Sequence, residues 1–600
     1  MTTADIIVQT LVSHGTDTVF GLPGVQTYPL FDALARSPIK VITARHEQAA
    51  AYMAFGYAQA TGKTGVYTVV PGPGFLNSSA ALISAYGASA PVVCLTGEIP
   101  SRFIGRGLGH LHELPDQLAT MRSLTKWAAT VEHPSQAAEL TARALYHARQ
   151  GRPRPTALAV PWGILGAPAP ASSPAQPVSI VNPPLDPGAI AKAGDLLAGA
   201  RNPMIMVGSG ARHAATQVAE LARVLQAPVV SFRGGRGIVP DADPYGLTCA
   251  AGFDRWAATD VLIGIGSRLE LTWYRWPDRP AGLRTVLVDI DPQQAVRLQP
   301  EVAIVADARD ATEALVRELK FTEAPRPDRS AEFAELKRRK IAEVRDIGAD
   351  LDYLAAIRAA LPADGFFVEE MCQAGFASYF GFPVQAPRQF ITCGHQGTLG
   401  FGYPTALGVK SAFPERAVVS VSGDGGFAFG LAELATAVQH NLGVIAVVFN
   451  NGAYGNVLLD QQRLFDGRVI GSRLHNPDFA AVAQAFGAAG YTVWTPHELE
   501  TTVAKAIAEG RPAVIEVKTQ LGGTATPWKY LMPASRSQAS AHAAPAPQPV
   551  PSPQPAPGLQ PVPGPQPVSA PQPASGPLPA PGPQASPGQA APGSPPAPGS

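Results

Sequence analysis

The body of the chain, residues 1–535, alternates short apolar runs with Ala- and Leu-rich stretches of helical composition. Continuous apolar strands that alternate with helices are typical of parallel sheets covered by helices on both faces. The sequence therefore predicts an α/β fold built from doubly wound parallel sheets. The runs predicted as strands are residues 64–70, 90–97, 155–160, 203–210, 260–266, 285–291, 416–423, 443–451 and 512–518.

Two joints divide this body into three α/β domains. One joint is the proline-rich segment 167–187, and the other is the charged segment around residues 321–333. Such composition is typical of connections between domains rather than of packed elements. The predicted domains are an N-terminal domain (1–166), a central domain (185–322) and a C-terminal domain (345–532).

The last part of the chain has a different composition. Residues 541–600 contain 22 prolines and no Asp, Glu, Lys or Arg. A segment of this kind buries too little apolar surface to offset the entropy lost on ordering. We predict that residues 538–600 form a disordered, partly polyproline-II tail, which is either a solvated tail or a docking segment for a proline-recognising partner.

Charge and cysteine content exclude several classes of protein. Lys plus Arg and Asp plus Glu both number 46, so there is no electrostatic case for a nucleic-acid or anionic-membrane partner. No apolar run reaches membrane-spanning length, and the first residues lack the basic start and apolar core of a signal peptide. The four cysteines are far apart and form no CxxC pair, which favours a reducing compartment over a cysteine metal site. We expect a cytoplasmic location.

A glycine-rich loop follows the predicted strand 416–423. Residues 423–426 read GDGG, residues 431–441 are predicted as a helix, and residues 443–451 are the next strand. In such a βαβ unit the two strands are parallel, so Asp424 is expected near Asn450 and Asn451. A carboxylate, an amide oxygen and bare glycine amides suit a hard cation with a bound phosphate. The alternative is an Asx turn beside a polar loop.

The spacing of this loop resembles a known family. GDG followed by 24 residues and then NN is similar to the signature of thiamine-diphosphate enzymes. The resemblance implies that Asp424, Asn451 and the backbone carbonyl of Ala453 hold Mg²⁺. It also implies that the Mg²⁺ grips the cofactor diphosphate, with help from the amides of Gly425 and Gly426.

Three further stretches agree with this resemblance in chain order. VFGLPG (19–24) resembles the family's first-domain entry, residues 44–63 resemble its catalytic-glutamate helix, and residues 394–408 resemble the loop that bends the cofactor. The resemblance covers roughly residues 1–530 and is closest to the acetolactate synthase large subunit and related 2-oxo acid decarboxylases and carboligases. It implies pyrimidine-binding, central and diphosphate-binding domains.

The resemblance also assigns roles to individual residues. Glu47 is expected to hydrogen-bond the pyrimidine N1′ and so to help remove the C2 proton of the thiazolium ring. An apolar pocket would raise the pKa of Glu47 and let it share a proton near neutrality. Leu399 is expected to be the wedge that bends the cofactor, and the Gly397 carbonyl is expected to receive the 4′-amine. The other expected cofactor-binding residues are Pro23, Gly24, Asn77, Gln373, Gly423 and Tyr454.

Subunit and flavin requirements follow from the same resemblance. In the family, Glu47 of one subunit meets the metal loop of another, so at least a homodimer is implied. Acetolactate synthases often bind FAD in the central domain, where this chain reads MVGSGAR (206–212). The third glycine position of a dinucleotide loop is His213 here, and no acid ends the following strand. FAD is therefore less favoured, although it stays open.

Substrate residues are less clearly marked. Leu111 and His112 stand where acetolactate synthases carry a Phe-Gln pair, and decarboxylases of the family place histidines nearby. His112, or else His110, is expected to relay a proton or to hold the substrate carboxylate, unless it is a surface histidine. Arg275, in WYRWP (273–277), is a candidate contact for an acidic substrate or a neighbouring subunit.

The predicted reaction is the non-oxidative decarboxylation of a 2-oxo acid. The product carbanion equivalent is then protonated or joined to a second carbonyl compound. Two alternatives remain open. One is a 2-hydroxyacyl-CoA lyase or an oxalyl-CoA-type decarboxylase, and the other is a non-catalytic subunit that binds the cofactor.

Overall fold

The computed structural model describes residues 1–169, 173–276, 278–322, 325–348, 350–521 and 527–531. The predicted tail, residues 538–600, lies outside the described residues. Residues 1–536 form one compact unit, and all elements below belong to it.

Three six-stranded parallel sheets organise this unit, as the sequence predicts. Their orders are β2-β1-β3-β4-β6-β5, β12-β11-β10-β7-β8-β9 and β14-β13-β15-β16-β18-β17. The strands are β1 (Thr18–Gly21), β2 (Lys40–Thr43), β3 (Gly65–Val69), β4 (Val92–Glu98), β5 (Trp127–Thr130), β6 (Thr156–Pro161), β7 (Pro203–Val207), β8 (Val229–Ser231), β9 (Gly246–Thr248), β10 (Val261–Ile265), β11 (Arg284–Asp289), β12 (Val302–Val305), β13 (Phe366–Glu369), β14 (Phe390–Ile391), β15 (Val418–Gly423), β16 (Val444–Asn450), β17 (Ala489–Val493) and β18 (Ala513–Lys518).

Helices cover the faces of these sheets. They are α1 (Thr3–Ser13), α2 (Tyr28–Ala35), α3 (Glu47–Thr61), α4 (Pro73–Asn77), α5 (Ser79–Ala88), α6 (Gln117–Leu124), α7 (Ala137–Arg149), α8 (Trp162–Leu165), α9 (Pro187–Ala198), α10 (Ala215–Leu225), α11 (Cys249–Trp256), α12 (Pro292–Leu298), α13 (Ala308–Thr322), α14 (Ser330–Asp346), α15 (Leu351–Ala360), α16 (Gln373–Gly381), α17 (Gly402–Ala412), α18 (Asp424–Phe429), α19 (Glu433–Gln439), α20 (Gly455–Leu464), α21 (Phe479–Ala485), α22 (Pro496–Glu509) and α23 (Trp528–Leu531). Among the described helices, none has the length and apolar character to cross a bilayer.

The nine predicted strands are confirmed. They are β3, β4, β6, β7, β10, β11, β15, β16 and β18, which occupy central positions in their sheets or lie beside them. Most of their side chains are buried, because helices pack on both faces. The predicted strands of each domain fall within one of the three sheets, and the exact domain boundaries stay predictions.

The first and third sheets share a core through α3 and α17. Every residue of α3 from Ala49 to Ala60 is buried, so this Ala-rich helix lies between two layers. The helices touch closely at two glycines, since a Cβ on Gly56 would lie 2.0 Å from the Thr405 carbonyl oxygen. A Cβ on Gly408 would lie 1.9 Å from the Met53 carbonyl oxygen. The small residues therefore set the distance between these two domains.

The predicted helix 431–441 needs a correction. The strand β15 runs directly into α18 at Asp424, and α19 follows at Glu433. The buried face of α19 consists of Glu433, Leu434, Thr436 and Ala437, whereas Val438 is exposed. A helix is therefore present within the predicted span, but it is shorter and buries a different face. The difference arises because two polar residues on that face hydrogen-bond to another domain, which apolar periodicity cannot reveal.

Candidate active site

The ends of β15 and β16 bring the predicted metal residues together. These parallel strands pair in register up to Gly423 and Phe449, so the next residues of both chain segments meet at one edge. Asp424 is buried, and its Oδ2 accepts hydrogen bonds from the backbone N–H groups of Gly452 (2.9 Å) and Ala453 (3.2 Å). The side-chain oxygen of Asn451 is also buried and, among the described residues, has no hydrogen-bond partner. A buried acceptor without a donor beside a carboxylate is the donor set that a hard cation would satisfy.

Burial raises the pKa of the Asp424 carboxyl above its ordinary value. Hydrogen bonds from Gly425, Asn476, Gly452 and Ala453 oppose this rise, because they stabilise the ionised form. A bound cation would act in the same direction as those hydrogen bonds. The carboxylate is thus set in place by backbone donors before any ligand binds.

The glycines after β15 leave no room for a side chain. A Cβ on Gly425 would lie 2.4 Å from Cε1 of Tyr454, and one on Gly426 would lie 1.9 Å from Oε1 of Glu370. Leu399 lies above the same place, with Cδ2 at 3.7 Å from the position of that second Cβ. The bare backbone, the Tyr454 ring and the Leu399 side chain therefore surround one spot at the sheet edge, which suits a cofactor diphosphate and its neighbouring ring.

The loop that carries Gly397 and Leu399 is fastened by Glu370. This buried carboxylate accepts hydrogen bonds from the backbone N–H groups of Gly400 (2.9 Å) and Gly402 (2.7 Å), and Ser422 Oγ donates to it (3.2 Å). Burial raises the pKa of Glu370 to about 7. Gly397 itself has a φ of +60°, a conformation that favours glycine.

Gln373 lies beside the same glycine loop. It begins α16, and its neighbour Cys372 has its Cβ 3.2 Å from where a Cβ of Gly423 would be. The start of α16 therefore lies at the same sheet edge as the glycine loop after β15.

A second group of predicted residues gathers at the carboxyl edge of the first sheet. Glu47 is the first residue of α3, and its Oε2 accepts a hydrogen bond of 3.0 Å from Nδ2 of Asn77, the last residue of α4. A Cβ on Gly74 would lie 3.5 Å from the other carboxylate oxygen of Glu47 and 2.6 Å from Cγ2 of Val70. Val70 also contacts the predicted Pro23–Gly24 turn, because a Cβ on Gly24 would lie 2.3 Å from its Cγ1.

The apolar pocket expected around Glu47 is not closed within one chain. Glu47 is half-buried, Asn77 is exposed, and the hydrogen bond between them faces solvent. Within the described residues, Asn77 is the side-chain partner of Glu47, and no hydrogen bond joins Glu47 to Asp424 or Asn451. The single chain therefore presents two partial sites.

His112 lies near the first group. Its Nδ1 is 3.0 Å from Oε1 of Gln26, a fully buried side chain whose Nε2 donates to the Leu111 carbonyl. The His112 carbonyl packs against Gly72, where a Cβ would lie only 2.4 Å away, and Gly72 has a positive φ of +61°. These contacts fix the ring beside the turn that leads into α4. His110, on the same loop, packs in a tilted arrangement against the Phe103 ring, with the ring centroids 5.1 Å apart.

Sequence reasoning missed several residues of these two groups. Asn476 donates from Nδ2 to Asp424 Oδ2 (2.6 Å) and to Asn450 Oδ1 (3.0 Å). Glu516 accepts a bond of 2.6 Å from Asn450 Nδ2. Neither Asn476 nor Glu516 belongs to a sequence motif. Glu370, which holds the loop of Gly397 and Leu399, could have been found, because two acids, Glu369 and Glu370, follow the apolar run FFV directly.

Three carboxylates, those of Glu98, Glu113 and Asp116, lie at the end of β4 and next to the His112 loop. Glu98, the last residue of β4, is 6 % exposed, and its Oε1 accepts a hydrogen bond of 2.8 Å from its own neighbour Ile99. Burial raises the pKa of Glu98, and the charges of Asp116 and Glu113 raise it further. Within the described residues, no Lys, Arg or His forms an ion pair with Glu98.

The central domain borders a separate cavity of about 480 Å³. The Gly208–Gly210 turn after β7 lines it, together with Asp289 at the end of β11, whose pKa burial raises to about 6. No acid ends β8, in agreement with the sequence, and the acid stands on β11 instead. His213, at the third glycine position, pairs with Asp307 at 2.9 Å.

Arg275 already has a carboxylate partner. Its guanidinium lies 2.7 Å from Glu270, which also pairs with Arg233 at 2.8 Å. All three side chains are largely buried. One carboxylate is thus shared by two arginines, so Glu270 does not balance both charges by itself. The contact of Arg275 with an acidic substrate or a neighbouring subunit stays a prediction.

Comparisons with known proteins agree with this arrangement. Models of the thiamine pyrophosphate enzyme family match three segments: the N-terminal TPP binding domain (residues 1–120), the central domain (190–315) and the C-terminal TPP binding domain (371–517). The chain is 34% identical over 537 residues to a probable 2-ketoarginine decarboxylase of Pseudomonas aeruginosa, covering 86% of this chain and 94% of that one. It is 30% identical over 534 residues to the acetolactate synthase isozyme 3 large subunit of Escherichia coli, covering 85% and 92%.

The chain belongs to the thiamine pyrophosphate enzyme family, in the group that includes acetolactate synthases and 2-oxo acid decarboxylases. This confirms the family resemblance and the three-domain α/β architecture expected from the sequence.

Proposed function

We propose that this protein is a thiamine-diphosphate- and Mg²⁺-dependent enzyme that decarboxylates a 2-oxo acid. The observation that carries the proposal is the buried, unpartnered side-chain oxygen of Asn451 beside the buried carboxylate of Asp424. These two oxygens and the Ala453 carbonyl would hold Mg²⁺, and the amides of Gly425 and Gly426 would face the diphosphate. When bound, thiamine diphosphate would supply a carbon nucleophile for the keto group and a cationic ring that takes up the electron pair of the broken C–C bond as CO₂ leaves.

Glu47 would share a proton with N1′ of the cofactor pyrimidine. Asn77 binds one carboxylate oxygen of Glu47, which orients the group and leaves the other oxygen for that hydrogen bond. His112 would act on the substrate side. If Nδ1 donates to Gln26, Nε2 is left as the acceptor that exchanges a proton with the product or holds the substrate carboxyl group.

The active enzyme would be at least a homodimer, with Glu47 of one subunit facing Asp424 of another. The two partial sites of the single chain support this arrangement. Apolar side chains near both groups are exposed in the single chain, among them Leu108 (66 %), Leu111 (56 %) and Phe429 (61 %). Such surfaces are typical of interfaces or of substrate channels.

The substrate would be a 2-oxo acid with a positively charged end. Glu98, Glu113 and Asp116 interact electrostatically next to the His112 loop, and within the described residues none of the three forms an ion pair. The similarity to a protein named as a probable 2-ketoarginine decarboxylase supports the same choice, because 2-ketoarginine ends in a guanidinium group. A carboxylate that is buried without a cationic partner gains most from a bound cation.

The proposed reaction transfers no electrons to a second cofactor and does not require FAD. An adenine dinucleotide would bind in the central cavity. There His213 stands at the third glycine position of a dinucleotide-binding loop, and its side chain, paired with Asp307, occupies space that a glycine would leave free. We expect decarboxylation to proceed without added flavin.

A panel of 2-oxo acids tests the proposal. CO₂ and products would be measured for 2-ketoarginine, 2-oxohexanoate, 2-oxoglutarate and pyruvate, with and without thiamine diphosphate, Mg²⁺ and an acyl-CoA. We expect cofactor-dependent CO₂ release, fastest with 2-ketoarginine. Aldehyde as the product indicates decarboxylation alone, and a hydroxy-oxo acid indicates carboligation. CO₂ release from none of the 2-oxo acids, or turnover of the CoA thioester alone, would overturn the proposal.

The charge preference has its own test. Glu98→Gln keeps the shape of the side chain and removes its charge. We expect kcat/KM for 2-ketoarginine to fall at least about tenfold, while the value for neutral 2-oxohexanoate stays within about threefold. Glu132→Gln, which changes an exposed acid of the same domain, serves as the control. Equal losses for both substrates would refute the assignment of charge selection to Glu98.

A further inference from the structure

The segment that precedes Glu47 is held by a residue of a different domain. Glu47 is the first residue of α3, so the direction of its side chain depends on the backbone of Arg45 and His46. The backbone N–H groups of both residues donate to the same carboxylate oxygen of Glu433, at 3.0 Å each. Glu433 begins α19 of the C-terminal domain, far away in the chain.

Glu433 is a buried carboxylate that serves this contact. It is 1 % exposed, and its second oxygen accepts from Thr436 Oγ1 at 2.6 Å and from the Arg45 N–H at 3.2 Å. Within the described residues, no Lys or Arg side chain lies within ion-pair distance of it. A charge that is buried without an ion partner is costly unless hydrogen bonds compensate it, so these donors decide whether the group is tolerated here.

Two further residues on the same face of α19 and at its end hold the same segment. His440 Nε2 accepts a hydrogen bond of 3.0 Å from the Thr43 N–H, and Thr436 Oγ1 lies 3.3 Å from the Thr43 carbonyl. Thr43 ends β2, so the whole connection from β2 to α3 is attached to α19. The start of α3 is therefore set by a contact between domains and not only by its own His46 cap.

We propose that Glu433 is a positioning residue for Glu47: its carboxylate fixes the Arg45–His46 peptide units and thereby the direction in which the Glu47 side chain leaves α3. This inference rests on the proposed role of Glu47 in cofactor activation. Helix α19 follows α18, which begins at Asp424. Glu433 therefore also links the Glu47 segment to the loop of Asp424 within the same chain. Errors of about 1 Å in such alignment lower rates by up to about a hundredfold.

A double-mutant cycle tests this role. Deuterium exchange at C2 of bound thiamine diphosphate, without substrate, would be measured in wild type, Glu433→Ala, Glu47→Gln and the double variant. We expect Glu433→Ala to slow exchange about 10- to 100-fold while the cofactor affinity changes less than about threefold. In the Glu47→Gln background the same change should have little further effect, because Glu433 acts through Glu47.

Two more variants separate positioning from general damage. Glu433→Gln keeps an oxygen that can accept both N–H groups, so it should recover most of the exchange rate. Glu433→Met, which keeps the length of the side chain without that acceptor, replaces Glu433→Ala if that variant does not fold. Gln439→Ala removes a contact to the side chain of Arg45 but not to its backbone, and should leave exchange unchanged.

A readout without cofactor completes the test. Amide hydrogen exchange of the peptide that spans residues 43–50 should be faster in Glu433→Ala than in wild type, while the β15–β16 region stays protected. Equal slowing of C2 exchange in both Glu47 backgrounds, or unchanged C2 exchange in Glu433→Ala, would overturn the positioning role. If Glu47→Gln itself exchanges like wild type, the proposed function of Glu47 fails instead.

Discussion

Two buried polar side chains near the proposed sites lack a partner. Within the described residues, the Asn451 oxygen has no hydrogen-bond donor and Glu98 has no cationic partner, whereas Asp424 is already held by N–H donors. Unpartnered groups of this kind cost free energy in the ligand-free chain, and a bound cation would compensate that cost. Binding and stability are therefore coupled at these residues.

Changing Asp424 to Ala tests the metal assignment. The substitution removes the charged oxygen of the proposed Mg²⁺ site, so thiamine diphosphate affinity measured by titration calorimetry in Mg²⁺ should fall at least tenfold, about 1.4 kcal/mol. Asp466→Ala, at an exposed position of the same domain, is the matched control and should bind normally. Unchanged affinity in Asp424→Ala would contradict the metal site.

Glu370 makes the stability of the cofactor-free protein depend on pH. Burial raises its pKa to about 7 in the folded state, whereas the unfolded chain has the ordinary value near 4.5. The folded state therefore holds the proton more tightly, and this contribution is complete below about pH 4.5 and is lost as pH rises towards 7. The free energy of unfolding of wild type, compared with Glu370→Gln, should fall over that window in denaturation experiments. A difference that is constant with pH would be evidence against the raised pKa.

At the scale of elements, the N-terminal and C-terminal domains contact each other through the close packing of α3 against α17. Gly56→Ala would place a methyl group 2.0 Å from the Thr405 carbonyl oxygen, and backbone cannot move aside as a flexible side chain can. We expect a loss of about 1–3 kcal/mol or more in stability, seen as a lower denaturation midpoint. Gly163→Ala, at a helical glycine with open space, should have little effect. Equal midpoints for the two variants would show that the helices can separate.

The sequence predicts the long elements of this fold better than the short ones. Buried runs such as β15 and β16 are long enough to be seen, whereas β8 and β14 have three and two residues and leave no periodic signal. In the site, the GDG and NN motifs locate Asp424 and Asn451, because their spacing reflects one βαβ unit. Asn476 and Glu433 could not be found in this way, since their contacts depend on how separate segments and domains pack.

At the scale of the whole molecule, the two partial sites predict complementation between subunits. Neither Glu47→Gln nor Asp424→Ala alone should be active as a homodimer. Co-expression should restore about a quarter of wild-type activity, because half of the dimers are mixed and each mixed dimer has one intact site. The mixture should be compared with the two purified variants at equal concentration. Activity no higher than that of the single variants would contradict a site shared between subunits.

In the proposed function, Glu47 activates the bound cofactor. Glu47→Gln keeps the shape of the side chain and its contact with Asn77, but it cannot exchange a proton with N1′. The most direct measurement is the rate of deuterium exchange at C2 of thiamine diphosphate bound to this variant, without substrate. We expect binding within a few-fold of wild type, with exchange and turnover both slower by about 10²–10⁴-fold. Exchange at the wild-type rate would contradict this expectation.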